Sequence, residues 1–354
     1  MKGEKVLGKL KVGVIGCGSI ATIRHLPEYA ANPYTELAAV CDVNQERAQQ
    51  TGDLYQTKAY TDYQELFANE DLDIVSVCTP NYLHAQISIA GLEAGCNVLC
   101  EKPMATSAED AQMMIEAAKR NGKKLMIAHN QRFVKSHQKA KELIAKGEIG
   151  KVVSFRTSFG HPGPENWSVD GQNSWFFRKH EAYIGAMGDL GVHKADLIRF
   201  ILGDEVNEVA GFVDTLSKKA ADVDDNAVCI LRMESGAIGT LAASWSYQKE
   251  DNSTVIYGEK AVLRLEDHPD YSLTIHYQNG EQIFYDIGGI QTNDTGGQFG
   301  SQVIDHFVWC IQNDEQPESH GEDAKKSIEV VLAALESSES KSFIPLHRNK
   351  NHIT

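Results

Sequence analysis

Nowhere does this 354-residue chain approach the ~18 continuous apolar residues that a membrane span needs. Its first nine residues, Met1 to Lys9, carry charge without an apolar core, so no secretory leader is expected there. Cysteine is sparse and odd in number. The seven, at 17, 41, 78, 96, 100, 229 and 310, include no Cys-x-x-Cys pair, and several sit inside apolar runs. That pattern favours small buried thiols in a reduced, cytoplasmic protein. Basic charge is also in deficit: 34 Lys and Arg against 49 Asp and Glu leave a net −15, which argues against nucleic acid or an anionic membrane as partner. Internal repeats and low-complexity tracts are absent. What remains is ordinary globular material, 42% hydrophobic and 23% charged, long enough for two domains with real cores.

The first 130 residues alternate short apolar runs with segments of helical period. The runs are Val12–Ile15, Leu37–Cys41, Ile74–Cys78, Val98–Cys100 and Leu125–Ala128; between them, Ser107 to Arg120 lines one side with Ala111, Met114, Ile115 and Ala118. Strands alternating with helices predict right-handed crossovers and a parallel sheet. Beyond about residue 150 strand patterns crowd together, from Val152–Phe159 to Gln282–Tyr285, and turns such as Glu234-Ser235-Gly236 and Gln278-Asn279-Gly280 predict antiparallel neighbours. Helices are expected near Gln302–Ile311 and Ala324–Leu335. The reading is an α/β domain with a parallel sheet over 1–130, then an α+β domain with antiparallel strand pairs over 131–346, and a polar tail, 347–354. The five-glycine stretch Asp286–Gly300 reads as a mobile loop.

A strand running into Gly16-Cys17-Gly18-Ser19-Ile20-Ala21 has the G-x-G-x-x-A form. Gly16 permits a tight turn, Gly18 lets backbone approach a pyrophosphate, and Ala21 allows close helix–sheet packing. The helix entered through Ser19 and Ile20 points free N–H groups at the phosphates. Asp42 follows the second strand, where a carboxylate accepts hydrogen bonds from an adenosine ribose or simply caps a turn. It would repel a 2′-phosphate, and Val43 and Asn44 offer no cation, so NAD is favoured over NADP. Pro27 implies that the first helix is short or kinked.

Polar residues cluster after the next strands, where open α/β sheets bind ligands. These are Thr79-Pro80-Asn81 with His84, then Glu101-Lys102-Pro103, then His129-Asn130-Gln131-Arg132. Further on, Asp189 and His193 stand four apart on one expected helix, a carboxylate beside a group able to exchange a proton near neutral pH. A metal site built on that pair lacks a clear third ligand, so no metal is expected.

Taken together, the glycine loop, Glu101-Lys102-Pro103 and the Asp189-x-Gly191-x-His193-x-x-Asp196 run resemble the glucose–fructose oxidoreductase/inositol dehydrogenase/MocA family, from Val12 to about Leu335. The resemblance implies an NAD(P)-dependent sugar or polyol dehydrogenase, with Lys102, Asp189 and His193 as its catalytic lysine, aspartate and histidine. Thr79, Pro80, Asn81, His84, Glu101 and Asn130 would line the nicotinamide end. It also implies that the α/β domain over 1–130 is a Rossmann domain, that the α+β domain over 131–346 has an open, mainly antiparallel sheet, and that the protein is a homodimer or homotetramer. Two positions depart from the family pattern: Trp175 is followed by Phe176 where relatives carry arginine, and Tyr183-Ile184 replaces a Gly-Gly pair.

The expected activity is reversible oxidation of a secondary hydroxyl on a cyclic sugar or polyol, with Lys102, Asp189 and His193 also touching substrate. Arg132, Trp175, Tyr183 and the Asp286–Gly300 loop are further candidate substrate contacts. One alternative is an NAD-dependent glycosidase acting by oxidation and elimination. Another is a non-catalytic dinucleotide-sensing regulator.

Overall fold

The computed structural model describes residues 8–290 and 300–346. Most of the Asp286–Gly300 stretch and the tail from residue 347 lie outside them. The described chain forms two compact units: one holds 8–105, 109–128 and 300–323, the other 106–108, 129–290 and 324–346. The expected division into consecutive stretches is therefore modified at the far end. The helix Val303–Asn313 returns to the first unit, where Asn32 donates to Asp305 at 2.7 Å and Glu28 accepts from the Ser301 backbone at 2.8 Å. Such contacts arise only when the chain folds back on itself, so local pattern does not announce them.

Six strands, β1 (Leu10–Ile15), β2 (Thr35–Cys41), β3 (Lys58–Tyr60), β4 (Ile74–Val77), β5 (Asn97–Cys100) and β6 (Leu125–Ile127), build the first sheet, all parallel, in the order β3-β2-β1-β4-β5-β6. β4 is buried at every residue, as expected where helices cover both faces. β3 was missed in the sequence because Lys-Ala-Tyr at a sheet edge carries no apolar run. Between β1 and β4 the strand order reverses, and the carboxyl ends of these two strands flank the crevice such folds use.

The second unit carries a nine-stranded sheet. It comprises β7 (Val152–Gly160), β8 (Val206–Asp214), β9 (Asn226–Met233), β10 (Ile238–Ser244), β11 (Thr254–Gly258), β12 (Ala261–Leu265), β13 (Leu273–Tyr277), β14 (Gln282–Tyr285) and β15 (Ile344–Pro345). The order is β14-β13-β12-β11-β7-β10-β9-β8-β15, antiparallel except between β7 and β10. Both expected hairpin turns occur, with Gly236 and Gly280 at φ of 91° and 87°. β9 alternates cleanly. Ala227, Cys229, Leu231 and Met233 are buried, whereas Val228, Ile230 and Arg232 face outward.

All seven cysteines are buried free thiols. Among the described residues no helix is long and apolar enough to cross a membrane.

Candidate active site

In the first unit the glycine loop leaves β1 at Gly16, whose φ of 92° and close approach to the Cys78 carbonyl leave no room for a side chain. Gly18 differs: a Cβ there would meet nothing within 4 Å. Packing among the described residues gives no reason for glycine at 18, and space reserved for an external group does. At the end of β4 the Thr79 hydroxyl is buried without a hydrogen-bond partner in the described chain, a second sign of a polar ligand. Both observations fit a dinucleotide. The helix expected from Ser19 and Ile20 begins there, widens into a π-type turn over Ala21–His25 and returns to α-helix over Leu26–Ala31, with Pro27 in its first turn. Pro27 has no N–H to give, so the wider turn accommodates it.

Asp42 ends β2 with its carboxylate accepting from the Cys17 amide and from the Asn44 amide, both at 2.9 Å. It therefore ties the glycine loop to β2 and caps a turn. Each oxygen retains a second lone pair that a ribose hydroxyl could use. Arg47, one helical turn along, brings Nη1 to 3.5 Å from Asp42 Oδ2. The expectation that no cation stands nearby considered only positions 43 and 44, so it missed this one.

Asn81 opens a short 3-10 turn, Asn81–Leu83, and is buried. The ring nitrogens of His84 lie 2.7 Å from the Pro103 carbonyl and 2.9 Å from that of Thr79. Both partners only accept, so both contacts are hydrogen bonds at once only in the imidazolium form. Burial pushes the His84 pKa down and the two carbonyls oppose it. His84 thus braces the two loops that carry Thr79-Pro80 and Lys102-Pro103.

Lys102 follows β5, half-buried, beside the Glu101 carboxylate. Glu101 Oε1 accepts from His25 Nε2 at 3.0 Å and from Arg24 Nη1 at 3.3 Å, and Oε2 accepts from the Lys102 amide at 3.2 Å. His25 Nδ1 lies 3.1 Å from the Ser76 hydroxyl, which lies 2.9 Å from the Tyr29 hydroxyl. Burial alone would raise the Glu101 pKa, but the His25 hydrogen bond and the charges of Arg24, His25 and Lys102 hold it down at about 2. Arg24, His25, Tyr29 and Ser76 escaped the sequence reading. The one available signal was Arg24-His25, two polar residues in the helix just beyond the glycine loop.

In the second unit, Asp189 lies in a π-type turn, Met187–Gly191, that runs into the helix Val192–Leu202 carrying His193. Asp224, also unforeseen, anchors that start by accepting from the amides of Gly185 and Met187, both at 2.7 Å. Burial lifts its carboxyl to about 6. Asp189 Oδ2 accepts from the Trp245 indole N–H at 3.1 Å, and His193 packs on Phe159 with ring centroids 5.8 Å apart. Both are nearly buried, at 5% and 9% exposure. Asn130 begins the short turn Asn130–Phe133, and its side-chain oxygen is buried without a partner in the described chain.

Arg132 has no solvent-facing role. Its Nε and Nη2 reach Asp196 at 2.8 and 2.6 Å, and its guanidinium lies over the Phe200 ring. Both ends of this pair are buried, so Arg132 is corrected from candidate substrate contact to internal ion pair. Sequence spacing could not show that an arginine and an aspartate 64 residues apart would find each other. Trp175 stacks on Phe176 at 3.9 Å and is half-buried. Tyr183 is 48% exposed and sits at φ 67°, ψ −44°, a strained conformation for a residue with a side chain. Among the described residues no three His, Cys, Asp or Glu side chains come together as a metal site.

A glycine loop at the reversal point of a parallel sheet, an acid ending the second strand and a separate open-sheet unit define a dinucleotide-binding α/β protein with a second α+β domain. The model of an oxidoreductase family with an NAD-binding Rossmann fold matches residues 10–129, and that of the GFO/IDH/MocA C-terminal domain matches 137–264. The chain belongs to the GFO/IDH/MocA family of NAD-binding oxidoreductases. It is 31% identical over 307 residues to a levoglucosan dehydrogenase of Pseudarthrobacter phenanthrenivorans, covering 77% of this chain and 75% of that one. To a myo-inositol 2-dehydrogenase of Thermotoga maritima it is 28% identical over 354 residues, covering 95% and 98%. Among solved structures, an aldose-aldose oxidoreductase from Caulobacter crescentus in complex with glycerol superposes with a TM-score of 0.82 at 26% identity, covering 96% and 100%. A levoglucosan dehydrogenase in complex with NADH and levoglucosan gives 0.83 at 25%, with the same coverage.

Proposed function

We propose that this protein reversibly oxidises a secondary hydroxyl of a cyclic sugar or polyol, using NAD in preference to NADP. The observation that carries the reading is the buried start of the second unit's helix, which holds a carboxylate and an imidazole one turn apart in the family whose named relatives are sugar and polyol dehydrogenases. Bound NAD supplies the hydride acceptor. His193 takes the hydroxyl proton as general base and returns it in the reverse direction. Lys102 donates a hydrogen bond to the developing alkoxide, and the clamp of Glu101 on its amide fixes the loop from which it reaches. Asp189, oriented by Trp245, holds substrate hydroxyls or the His193 ring.

The dinucleotide would lie along Gly16, Gly18, Ser19 and Ile20, with its ribose at Asp42 and its nicotinamide end at Thr79, Pro80, Asn81, His84, Glu101, Lys102 and Asn130. Support comes from the open space over Gly18 and the orphaned Thr79 hydroxyl. Asp42 disfavours a 2′-phosphate, and Arg47 softens that preference without reversing it, because the carboxylate already occupies it. The protein is further proposed to form a homodimer or homotetramer through the outer face of β8, β9 and β10. There Phe212 and Val228 pair directly across strands, and Ile230 and Ile238 extend the apolar surface. Sedimentation of Phe212→Lys as a smaller species would support that face; an unchanged mass would remove it.

A screen of inositols, aldoses and sugar acids, read as NADH production with NAD and NADP in parallel, tests the activity. Lys102→Ala and His193→Ala should each lower kcat by about 10²-fold or more. Full activity in both would refute the assignment. Cleavage of glycosides without net NADH would favour the oxidation–elimination alternative, and NAD binding without turnover across the panel would favour the regulator.

A further inference from the structure

Between β7 and the Asp189 turn the chain makes an excursion of three short 3-10 turns, Pro164–Asn166, Gly171–Asn173 and Trp175–Phe177. It is dense in aromatic rings, and their contacts form a continuous arc. Starting at His193, Phe159 lies at 5.8 Å, His161 at 6.0 Å from Phe159, Trp167 at 6.4 Å from His161, Phe176 at 5.1 Å from Trp167, and Trp245 at 6.2 Å from Phe176. Trp245 then donates to Asp189. The arc thus begins on the imidazole and ends on the carboxylate, and the helix turn between Asp189 and His193 closes it.

An ordinary core cluster would be fully enclosed. Here Trp245 and Phe159 are buried, but His161, Trp167 and Phe176 in the middle of the arc stay half-exposed. The contacts through those three are edge-to-face, the geometry the ring quadrupole favours. Trp175, the aromatic singled out from the sequence, lies outside the arc and stacks on Phe176.

We propose that this arc is the seat of the substrate ring. Trp167 and Phe176 take the C–H face of a ring-form sugar or cyclitol, while its hydroxyl edge reaches Asp189 and His193. Carbons bearing oxygen have C–H groups of partial positive charge, which the negative face of an aromatic ring attracts. A closed sugar ring presents several such groups on one flat side, and an open-chain polyol of the same formula class does not. The arc therefore selects cyclic over linear polyols, a selection that charged and hydroxyl groups alone do not make. This inference rests on the dehydrogenase reading for its substrate class.

The full-length protein saturated with NAD is titrated with methyl α-D-glucopyranoside, myo-inositol and D-sorbitol, following tryptophan fluorescence, and turnover of the best cyclic substrate is measured in Trp167→Leu and Phe176→Leu. Expected are a fluorescence change with at least one cyclic probe at concentrations at least about tenfold below sorbitol, and a KM raised about tenfold in each variant. Over the same variants kcat should stay within about threefold and NAD affinity should not change, the pattern of lost uniform binding. Trp167→Phe, which keeps a ring, should restore KM and covers the case in which the leucine variant fails to fold. A KM within twofold of wild type in both leucine variants overturns the proposal, as does sorbitol binding as tightly as the cyclic probes. If the wild-type protein turns over no sugar at all, the dehydrogenase reading fails, and the fluorescence comparison alone decides the arc.

Discussion

Replacing Asp196 by Asn would leave Arg132 as an uncompensated buried charge. Asp196 accepts two hydrogen bonds from Arg132, at 2.8 and 2.6 Å, and a third from Ser327 at 2.9 Å, while Arg199 and His129 stand at 3.8 and 3.7 Å. Burial opposes its ionisation, but the charges of Arg132, His129 and Arg199 and the Arg132 hydrogen bonds hold its carboxyl far below the usual range. Side-chain accessibility is 4% for Arg132 and 1% for Asp196. Breaking one side of such a pair costs about 3–5 kcal/mol, whereas replacing both partners by apolar residues costs far less. Asp196→Asn and Arg132→Met should each destabilise by about that amount, and Arg132→Met with Asp196→Leu by clearly less than their sum.

Urea unfolding followed by tryptophan fluorescence reads this, because Trp167, Trp175 and Trp245 lie in the second unit and only Trp309 in the first. The sign with pH follows from linkage. A depressed carboxylate contributes stability above its unfolded pKa of about 3.9 and loses it as pH falls below that, so wild type should lose its advantage over Asp196→Asn in acid. Additive single variants, or a loss under about 1 kcal/mol for Asp196→Asn, would refute the reasoning. If the folded double variant kept its KM, a substrate role for Arg132 would be excluded on independent grounds.

Gly18→Ala should fold as stably as wild type, since its Cβ meets nothing, yet bind NAD at least about tenfold more weakly by calorimetry; unchanged affinity would move the pyrophosphate elsewhere. Tyr183→Gly should relieve backbone strain and stabilise the protein by about 1 kcal/mol in thermal unfolding, and a loss of stability would show that the ring has packing value. Lys194 is fully buried, with its ammonium donating to the Asn252 carbonyl at 2.8 Å, and burial brings its pKa down to about 7. Because the unfolded chain holds that proton up to about pH 10.4, wild-type stability should rise between pH 7 and 10, by up to about 1.4 kcal/mol per unit. Lys194→Met should flatten that slope, and a slope that survives the substitution would rule Lys194 out as its source.

Local pattern alone determined the alternation of strand and helix, the glycine loop, Asp42 after β2, the hairpin turns at Gly236 and Gly280, and the motif that marks the family. Each depends on neighbours a few residues apart, through turn geometry, period and burial of one face. Tertiary structure alone decided which charges are spent inside. Arg132 reads as a strand-end cation but lies against Asp196, and Glu101 reads as a motif residue but is gripped by Arg24 and His25 from beyond the glycine loop. The edge strand β3 and the return of Val303–Asn313 to the first unit were likewise invisible, being fixed by partners far along the chain. Sequence spacing carries the energetics of contacts between near neighbours. Whether a distant charge meets water or a counter-charge depends on where folding brings it, and burial multiplies the consequence.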